Sequence, residues 1–198
     1  KLFDLMVRPL KPAVFLLALI PFAYLLSKII QNDLGPDPAQ TLSIETGEWT
    51  LRFLILTLAV TPVRQLFGLV QIGRLRRMIG LFTFFYASFH FMCWMAFILG
   101  FRWFAILEEL IERPYITVGF LSYVILFLLG FTSTNAMVRR LGKNWRKLHQ
   151  LVYLASVLAI IHLLWILRTD IGEAIFYGAL TAVLLGYRLY RRLNLKFR

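Results

Sequence analysis

The sequence has little of what soluble enzymes are usually built from. Only 16% of its 198 residues are charged, and it contains one cysteine and three histidines, whereas a soluble domain averages about a quarter charged residues. One cysteine allows neither an internal disulfide nor a thiolate metal cluster. The sequence also lacks a glycine-rich phosphate-binding loop and any Ser/His/Asp or Cys/His arrangement. We therefore expect neither a nucleotide-binding domain nor a hydrolase.

Hydrophobic residues are abundant instead. They make up 60% of the chain and give a mean hydropathy of +0.73. They fall in long runs, and about 18 or more apolar residues in a row are typical of a transmembrane helix. We predict an all-α, single-domain membrane protein over residues 1–198, with six helices in the lipid bilayer. The predicted spans are Pro12–Ile30, Trp49–Phe67, Met78–Leu99, Tyr115–Ser133, Leu148–Leu167 and Ala174–Tyr190.

The net charge of +12 indicates topology, and no nucleic-acid partner is expected. Most basic residues lie before span one, between spans two and three, between spans four and five, or after span six, while nearly all acidic residues lie in the other connections. Basic residues gather in cytoplasmic loops, so both termini are predicted to be cytoplasmic. On the outer side, Gln31–Glu48 is predicted to be a polar connection with turns, and Gly100–Arg113 to contain a short interfacial helix. These two outer loops are the candidate partner interface.

The three histidines are the leading candidates for a functional site, because an ionisable residue inside a membrane span is costly and usually has a role. His90 in span three follows the basic cluster that ends at Arg77, and His162 in span five follows the one that ends at Lys147. Both lie about 20 Å along their helices from those clusters. Two imidazoles at one depth on facing helices are what a six-coordinate b-type haem needs. A hydrogen-bonded structural role is the alternative.

His149 differs from the other two histidines. It lies about 20 Å closer to the cytoplasm than His162, and an ideal helix turns the two side chains about 140° apart. The matching depth of span three carries Arg76 and Arg77 rather than a histidine. His149 could therefore ligate a second haem with a non-histidine or shared partner, bind a quinone or flavin, or be structural. Arg76 and Arg77 are mainly topology signals, but arginines turned inward could pair with haem propionates or a flavin phosphate.

Four stretches together carry a resemblance to a known family: LGPDPAQTLSIETGEWTLRFLILTLAVTPVR, RLRRMIGLFTFFYASFHFMCW, RPYITVGFLSYVILFLLGFTS and LGKNWRKLHQLVYLASVLAIIHLLW. The sequence resembles MsrQ (also called YedZ), the haem-binding membrane subunit of the bacterial periplasmic methionine-sulfoxide reductase system. That family belongs to the ferric-reductase-like transmembrane group. The resemblance implies b-type haem, one or two per chain, with His90, His149 and His162 as ligands. It also implies an associated flavin mononucleotide (FMN).

The resemblance implies a function and partners as well. Such proteins lie in the bacterial inner membrane and pass electrons from a membrane quinone, or from a cytosolic flavin reductase, to MsrP. MsrP is a periplasmic molybdopterin enzyme that reduces methionine sulfoxide, so the sulfur chemistry would occur in the partner. Two alternatives stay open: a membrane ferric or other metal reductase fed by a separate flavin reductase, and a cofactor-free scaffold or transporter.

Overall fold

The computed structural model describes residues 10–167 and 171–194, and the regular elements in those ranges are all helical. The all-α prediction is confirmed. A 3₁₀ turn (Val70–Arg74) precedes the helix Arg76–Cys93, and a π-helical turn (Trp94–Ile98) continues that helix. In chain order the α-helices are α1 (Leu10–Ile30), α2 (Pro38–Phe67), α3 (Arg76–Cys93), α4 (Trp103–Glu112), α5 (Pro114–Phe131), α6 (Asn135–Leu141), α7 (Lys143–Leu148), α8 (Leu151–Ile166) and α9 (Ile171–Asn194).

Within the described ranges, five helices are long and apolar enough to cross a membrane: Leu10–Ile30, Pro38–Phe67, Arg76–Ile98, Pro114–Phe131 and Lys143–Ile166. The chain is therefore a multi-pass membrane protein. The sixth predicted span lies within α9, which has Glu173 in its first turn and Arg191 and Arg192 in its last. The sixth crossing and the cytoplasmic termini stay predictions, and several basic residues behind the topology argument (Lys1, Arg8, Arg168, Lys196 and Arg198) lie outside the described residues.

Two helix pairs form the centre of the bundle. Helix α2 packs along α3, and α5 packs along α8. Helix α3 joins the pairs by packing against α5, while α9 packs against both α8 and α2. The junction between the pairs contains the small buried residues Ala87 and Ala155 together with Leu54 and Leu126. Small residues let membrane helices approach closely, and Ala87 and Ala155 lie on the two histidine-bearing helices, α3 and α8.

Helix α2 begins at Pro38, although the sequence predicted a polar connection as far as Glu48. The prediction was wrong for the second half of Gln31–Glu48, because Asp37 and Pro38 together start a helix. The Asp37 side chain accepts a hydrogen bond from the backbone N–H of Gln40 at 2.9 Å, and proline suits the first helical turn. The extra turns of α2 run beside the end of α3 that carries His90.

The connection between α3 and α5 contains α4, so the short helix predicted within Gly100–Arg113 is present. Its exposed apolar residues recur at helical spacing: Trp103, Phe104, Leu107 and Ile111. Phe104 is 94% exposed and Ile111 is 79% exposed. An amphipathic helix of this kind suits a membrane–water interface.

Pro62, inside α2, interrupts the helical hydrogen bonding, and an arginine from another helix compensates. Proline has no N–H, so the carbonyl of Leu58, four residues earlier, lacks its usual helical donor. Arg188 Nη2 on α9 donates to that carbonyl at 2.5 Å. The guanidinium also lies over the ring of Tyr153, 5.2 Å from its centroid. Arg188 therefore links α9 to the carbonyl that Pro62 leaves without a helical donor.

Pro21, inside α1, has a similar neighbour on α3. The Tyr86 hydroxyl accepts from the backbone N–H of Phe22 at 3.1 Å and donates to the carbonyl of Ala18 at 2.8 Å. The hydroxyl therefore bridges the Ala18 carbonyl and the Phe22 N–H, which are four residues apart in α1. The Tyr86 side chain is fully buried. A side chain inserted into the helical ladder beside a proline is a common cause of a bend.

Candidate functional site: a facing histidine pair

His90 lies near the end of α3, with its ring against α2. Its Nδ1–H donates to the carbonyl of Ser43 at 2.9 Å, and Thr46 Oγ1 lies 3.3 Å from the same nitrogen. The Thr46 hydroxyl donates to the carbonyl of Leu42 at 2.6 Å. Because Nδ1 carries the proton, Nε2 is unprotonated, which is the form of the nitrogen that ligates a metal.

His162, on α8, is held in the same way against α5. Its Nδ1–H donates to the carbonyl of Tyr115 at 2.7 Å. Tyr115 lies in the first turn of α5, directly after Pro114, and its ring centroid is 6.5 Å from that of His162. The bond to the carbonyl again leaves Nε2 as the nitrogen with a free lone pair.

The two imidazoles face each other across the bundle. Their ring centroids are 6.4 Å apart and their planes are inclined by 76°. Two metal–nitrogen bonds of about 2.0–2.1 Å, with each ring centre about 1.1 Å behind its ligating nitrogen, give a separation of about 6.3 Å. The spacing of His90 and His162 therefore fits two imidazoles that share one iron. The structure brings together the two histidines that the sequence placed at one depth.

Each ring lies against a glycine that sequence analysis did not single out. A Cβ on Gly47 would lie 3.2 Å from Cε1 of His90, and a Cβ on Gly119 would lie 2.6 Å from Nδ1 of His162. Glycine thus gives each imidazole room to lie flat on the neighbouring helix. The available signal was a glycine in a membrane helix, which in itself suggests only close packing.

His149 does not join this pair. It lies in the turn between α7 and α8, where its ring stacks on that of Trp145 with centroids 3.9 Å apart. Its Nδ1 donates to the carbonyl of Trp145 at 3.1 Å, and Ser133 Oγ lies 3.2 Å from its Nε2. Because α7 ends at Leu148 and α8 begins at Leu151, the angle expected between His149 and His162 on one ideal helix stays a prediction.

Arg76 and Arg77 begin α3, at the opposite end of that helix from His90. Arg76 is exposed. Arg77 Nη1 donates to Oδ1 of Asn135, at the start of α6, at 2.7 Å. The two arginines therefore lie away from the facing pair, and their predicted contact with a propionate or a flavin phosphate stays a prediction.

The fold and the facing pair define a class: a multi-pass helical membrane protein with one histidine from each of two neighbouring helices turned to the other. A family model described as "Ferric reductase like transmembrane component" matches residues 46–160. That range includes His90 and His149 and ends just before His162.

Three relatives share one name, "Protein-methionine-sulfoxide reductase heme-binding subunit MsrQ". The one from Xanthomonas euvesicatoria pv. vesicatoria is 46% identical over 81% of this chain and 74% of the relative. One from Xanthomonas oryzae pv. oryzae is 45% identical over the same shares. The one from Ralstonia nicotianae is 44% identical over 92% of this chain and 86% of the relative. The chain belongs to the MsrQ family of ferric-reductase-like transmembrane proteins, and the resemblance seen in the sequence is confirmed.

Proposed function

We propose that this chain is a haem b electron-transfer subunit of the inner membrane, in which His90 and His162 would together hold the iron of one haem. The observation that carries the proposal is the facing pair, in which each Nδ1 donates to a backbone carbonyl and the rings are 6.4 Å apart. A haem held there would supply one-electron transfer through its iron.

The residues around the pair support ligation rather than acid–base chemistry. The carbonyls of Ser43 and Tyr115 hold the proton on Nδ1 of each histidine, which keeps Nε2 available to a metal. Neither bond involves a carboxylate that could exchange a proton.

The relatives' name points to the reaction that the electrons serve, because it describes a subunit of a methionine-sulfoxide reductase. We propose a periplasmic MsrP-type molybdopterin reductase as the acceptor. With both termini in the cytoplasm, the facing pair would lie about 20 Å from the cytoplasmic basic clusters and so toward the periplasm. Pro114, Tyr115 and Trp165 line a cleft beside His162, which is where an acceptor could approach.

The electron donor would act on the cytoplasmic half, where His149, Arg76 and Arg77 lie under the predicted topology. We propose a membrane quinone or a cytosolic flavin reductase as the donor, with FMN as a second cofactor. An anionic phosphate or propionate would find Arg76 and Arg77 as cationic partners. His149 is the candidate ligand for a second haem.

A direct ferric reductase is the second candidate, since the matching family model bears that description. The two functions differ in the acceptor, not in the haem site. Reoxidation of the reduced protein by ferric iron, at a rate that MsrP does not change, would favour the ferric reductase. Reoxidation only by MsrP with methionine sulfoxide would favour the sulfoxide system.

His162→Ala tests the ligand assignment. The detergent-purified protein should show a b-type reduced-minus-oxidised spectrum, and the variant should lose the haem of the facing pair because one of its two ligands is gone. The matched control is Val157→Ala, an exposed position on the same helix, which should keep full haem content. Haem is extracted and counted per chain. A folded His162→Ala protein with unchanged haem content and spectrum would refute the assignment, and a folded but colourless wild-type protein would favour the scaffold or transporter.

A further inference from the structure

We propose that a device made of two residues on one helix occurs once at each histidine and fixes the planes of His90 and His162 close to perpendicular. The first residue provides a carbonyl that accepts a hydrogen bond from Nδ1, and the residue four positions later is a glycine that lies beneath the ring. This inference rests on the proposed haem site. It adds Gly47 and Gly119 as positioning residues for the two ligands, and it assigns Gly119 the stricter role.

The device has the same spacing in both halves of the site. On α2, the carbonyl belongs to Ser43 and the glycine is Gly47; on α5, the carbonyl belongs to Tyr115 and the glycine is Gly119. Residues four apart lie on one face of a helix, one turn above the other. A ring that reaches the carbonyl at the first position therefore covers the second position, where any side chain would occupy its space.

The two glycines differ in how closely the ring approaches. A Cβ on Gly119 would lie 2.6 Å from Nδ1, 2.7 Å from Cε1 and 3.0 Å from Cγ of His162. Real Cβ atoms essentially never come closer than 3.0 Å to such atoms, so Gly119→Ala must displace the ring. At Gly47, the nearest atoms of His90 would be 3.2 and 3.3 Å away, so a shift of a few tenths of an ångström suffices there.

The angle between the two ring planes would affect the electronic state of an iron bound between them. A ring that is bonded through Nδ1 on one side and covers a glycine on one face cannot rotate freely about the bond from Nε2 to a metal, so the 76° between the planes is retained. In low-spin ferric haem, perpendicular axial planes leave two iron d orbitals nearly equal in energy. The electron paramagnetic resonance (EPR) spectrum is then dominated by one large g value at low field. Parallel planes separate those orbitals and give a rhombic spectrum with three resolved g values.

The experiment compares EPR spectra of the oxidised, haem-containing protein for the wild type, Gly119→Ala, Gly47→Ala and Gly186→Ala. The control is Gly186, because a Cβ there would meet nothing within 4 Å. We expect a dominant low-field signal in the wild type and the control. Gly119→Ala should lose most of that signal to a rhombic spectrum, or to a high-spin one if the displaced ring leaves the iron. Gly47→Ala should shift in the same direction by a smaller amount.

Three outcomes decide against the inference. A Gly119→Ala protein with bound haem and a wild-type spectrum overturns it, and so does a wild-type rhombic spectrum of the parallel type. If Gly119→Ala does not accumulate as folded protein, Gly47→Ala decides: a shifted signal supports the inference and an unchanged one overturns it. A folded wild-type protein without haem would instead refute the proposed function, so the two failures are distinguishable.

Discussion

Replacing Arg188 with leucine tests whether a side chain from α9 compensates for the backbone hydrogen bond that Pro62 removes from α2. Arg188 Nη2 donates to the Leu58 carbonyl, the acceptor that proline leaves without a helical donor. Pro62→Ala would restore that donor from the backbone. The two substitutions therefore form a double-mutant cycle in which one hydrogen-bond acceptor has two alternative donors.

The magnitude follows from the groups left unpaired. A buried carbonyl without a donor costs about 1–3 kcal/mol. Arg188→Leu also removes Nη1, which is buried and has no partner among the described residues, so the net loss should fall toward the lower end, about 1 kcal/mol. With Pro62→Ala present, the carbonyl keeps a donor, and Arg188→Leu should cost little or nothing. We expect a coupling free energy of about 1 kcal/mol or more between the two positions.

The assay is the free energy of unfolding in mixed micelles of increasing dodecyl sulfate, followed by far-UV circular dichroism. Arg191→Leu, which removes an exposed arginine from the same helix, is the matched control and should change stability little. Additive effects of Arg188→Leu and Pro62→Ala, within about 0.3–0.5 kcal/mol, would refute the reasoning. They would mean that the contact does not replace the missing helical bond.

Two further predictions concern the other proline and the third histidine. Tyr86→Phe should destabilise the protein by about 1 kcal/mol in the same unfolding assay, since the Ala18 carbonyl and the Phe22 N–H lose their bridging hydroxyl but can still bond to each other; a loss above about 3 kcal/mol would show that they cannot. His149→Ala should keep the haem of the facing pair, because His149 stacks on Trp145 instead of contacting that pair. Haem extracted per chain measures this, and a colourless, folded variant would contradict it.

The pairing of His90 and His162 was predictable because depth in a membrane can be read from sequence. Basic clusters mark the cytoplasmic ends of spans, and a helix rises by a constant amount per residue. Counting the residues from Arg77 to His90 and from Lys147 to His162 therefore compares the depths of the two histidines. The helical class and the first five spans followed from hydrophobicity in the same way, with errors mainly at the ends.

The parts that could not be predicted depend on local chemistry or on a second helix. A Gly-Pro-Asp-Pro segment indicates turns, yet its Asp37 and Pro38 also begin α2. Helix α7 ends just before His149 and α8 begins just after Gln150, and hydrophobic periodicity does not register so short an interruption. The role of Gly119 exists only because another helix places an imidazole on it, and a single sequence gives no sign of that approach.

There is a physical reason why each histidine of the pair contacts a carbonyl and a glycine four residues apart on the neighbouring helix. A histidine at membrane depth must satisfy one nitrogen within the protein and leave the other to the metal, because an unpaired polar group in hydrocarbon is costly. Side-chain partners are scarce in these apolar helices, so the backbone must provide the acceptor. A helical carbonyl is reachable only if the residue one turn on leaves space for the ring. Given a histidine that bonds to Ser43 or Tyr115, glycine at positions 47 and 119 follows from the geometry of the α-helix. Serine or alanine at position 119 should therefore be far less compatible with two perpendicular ligands than the same residues at position 47.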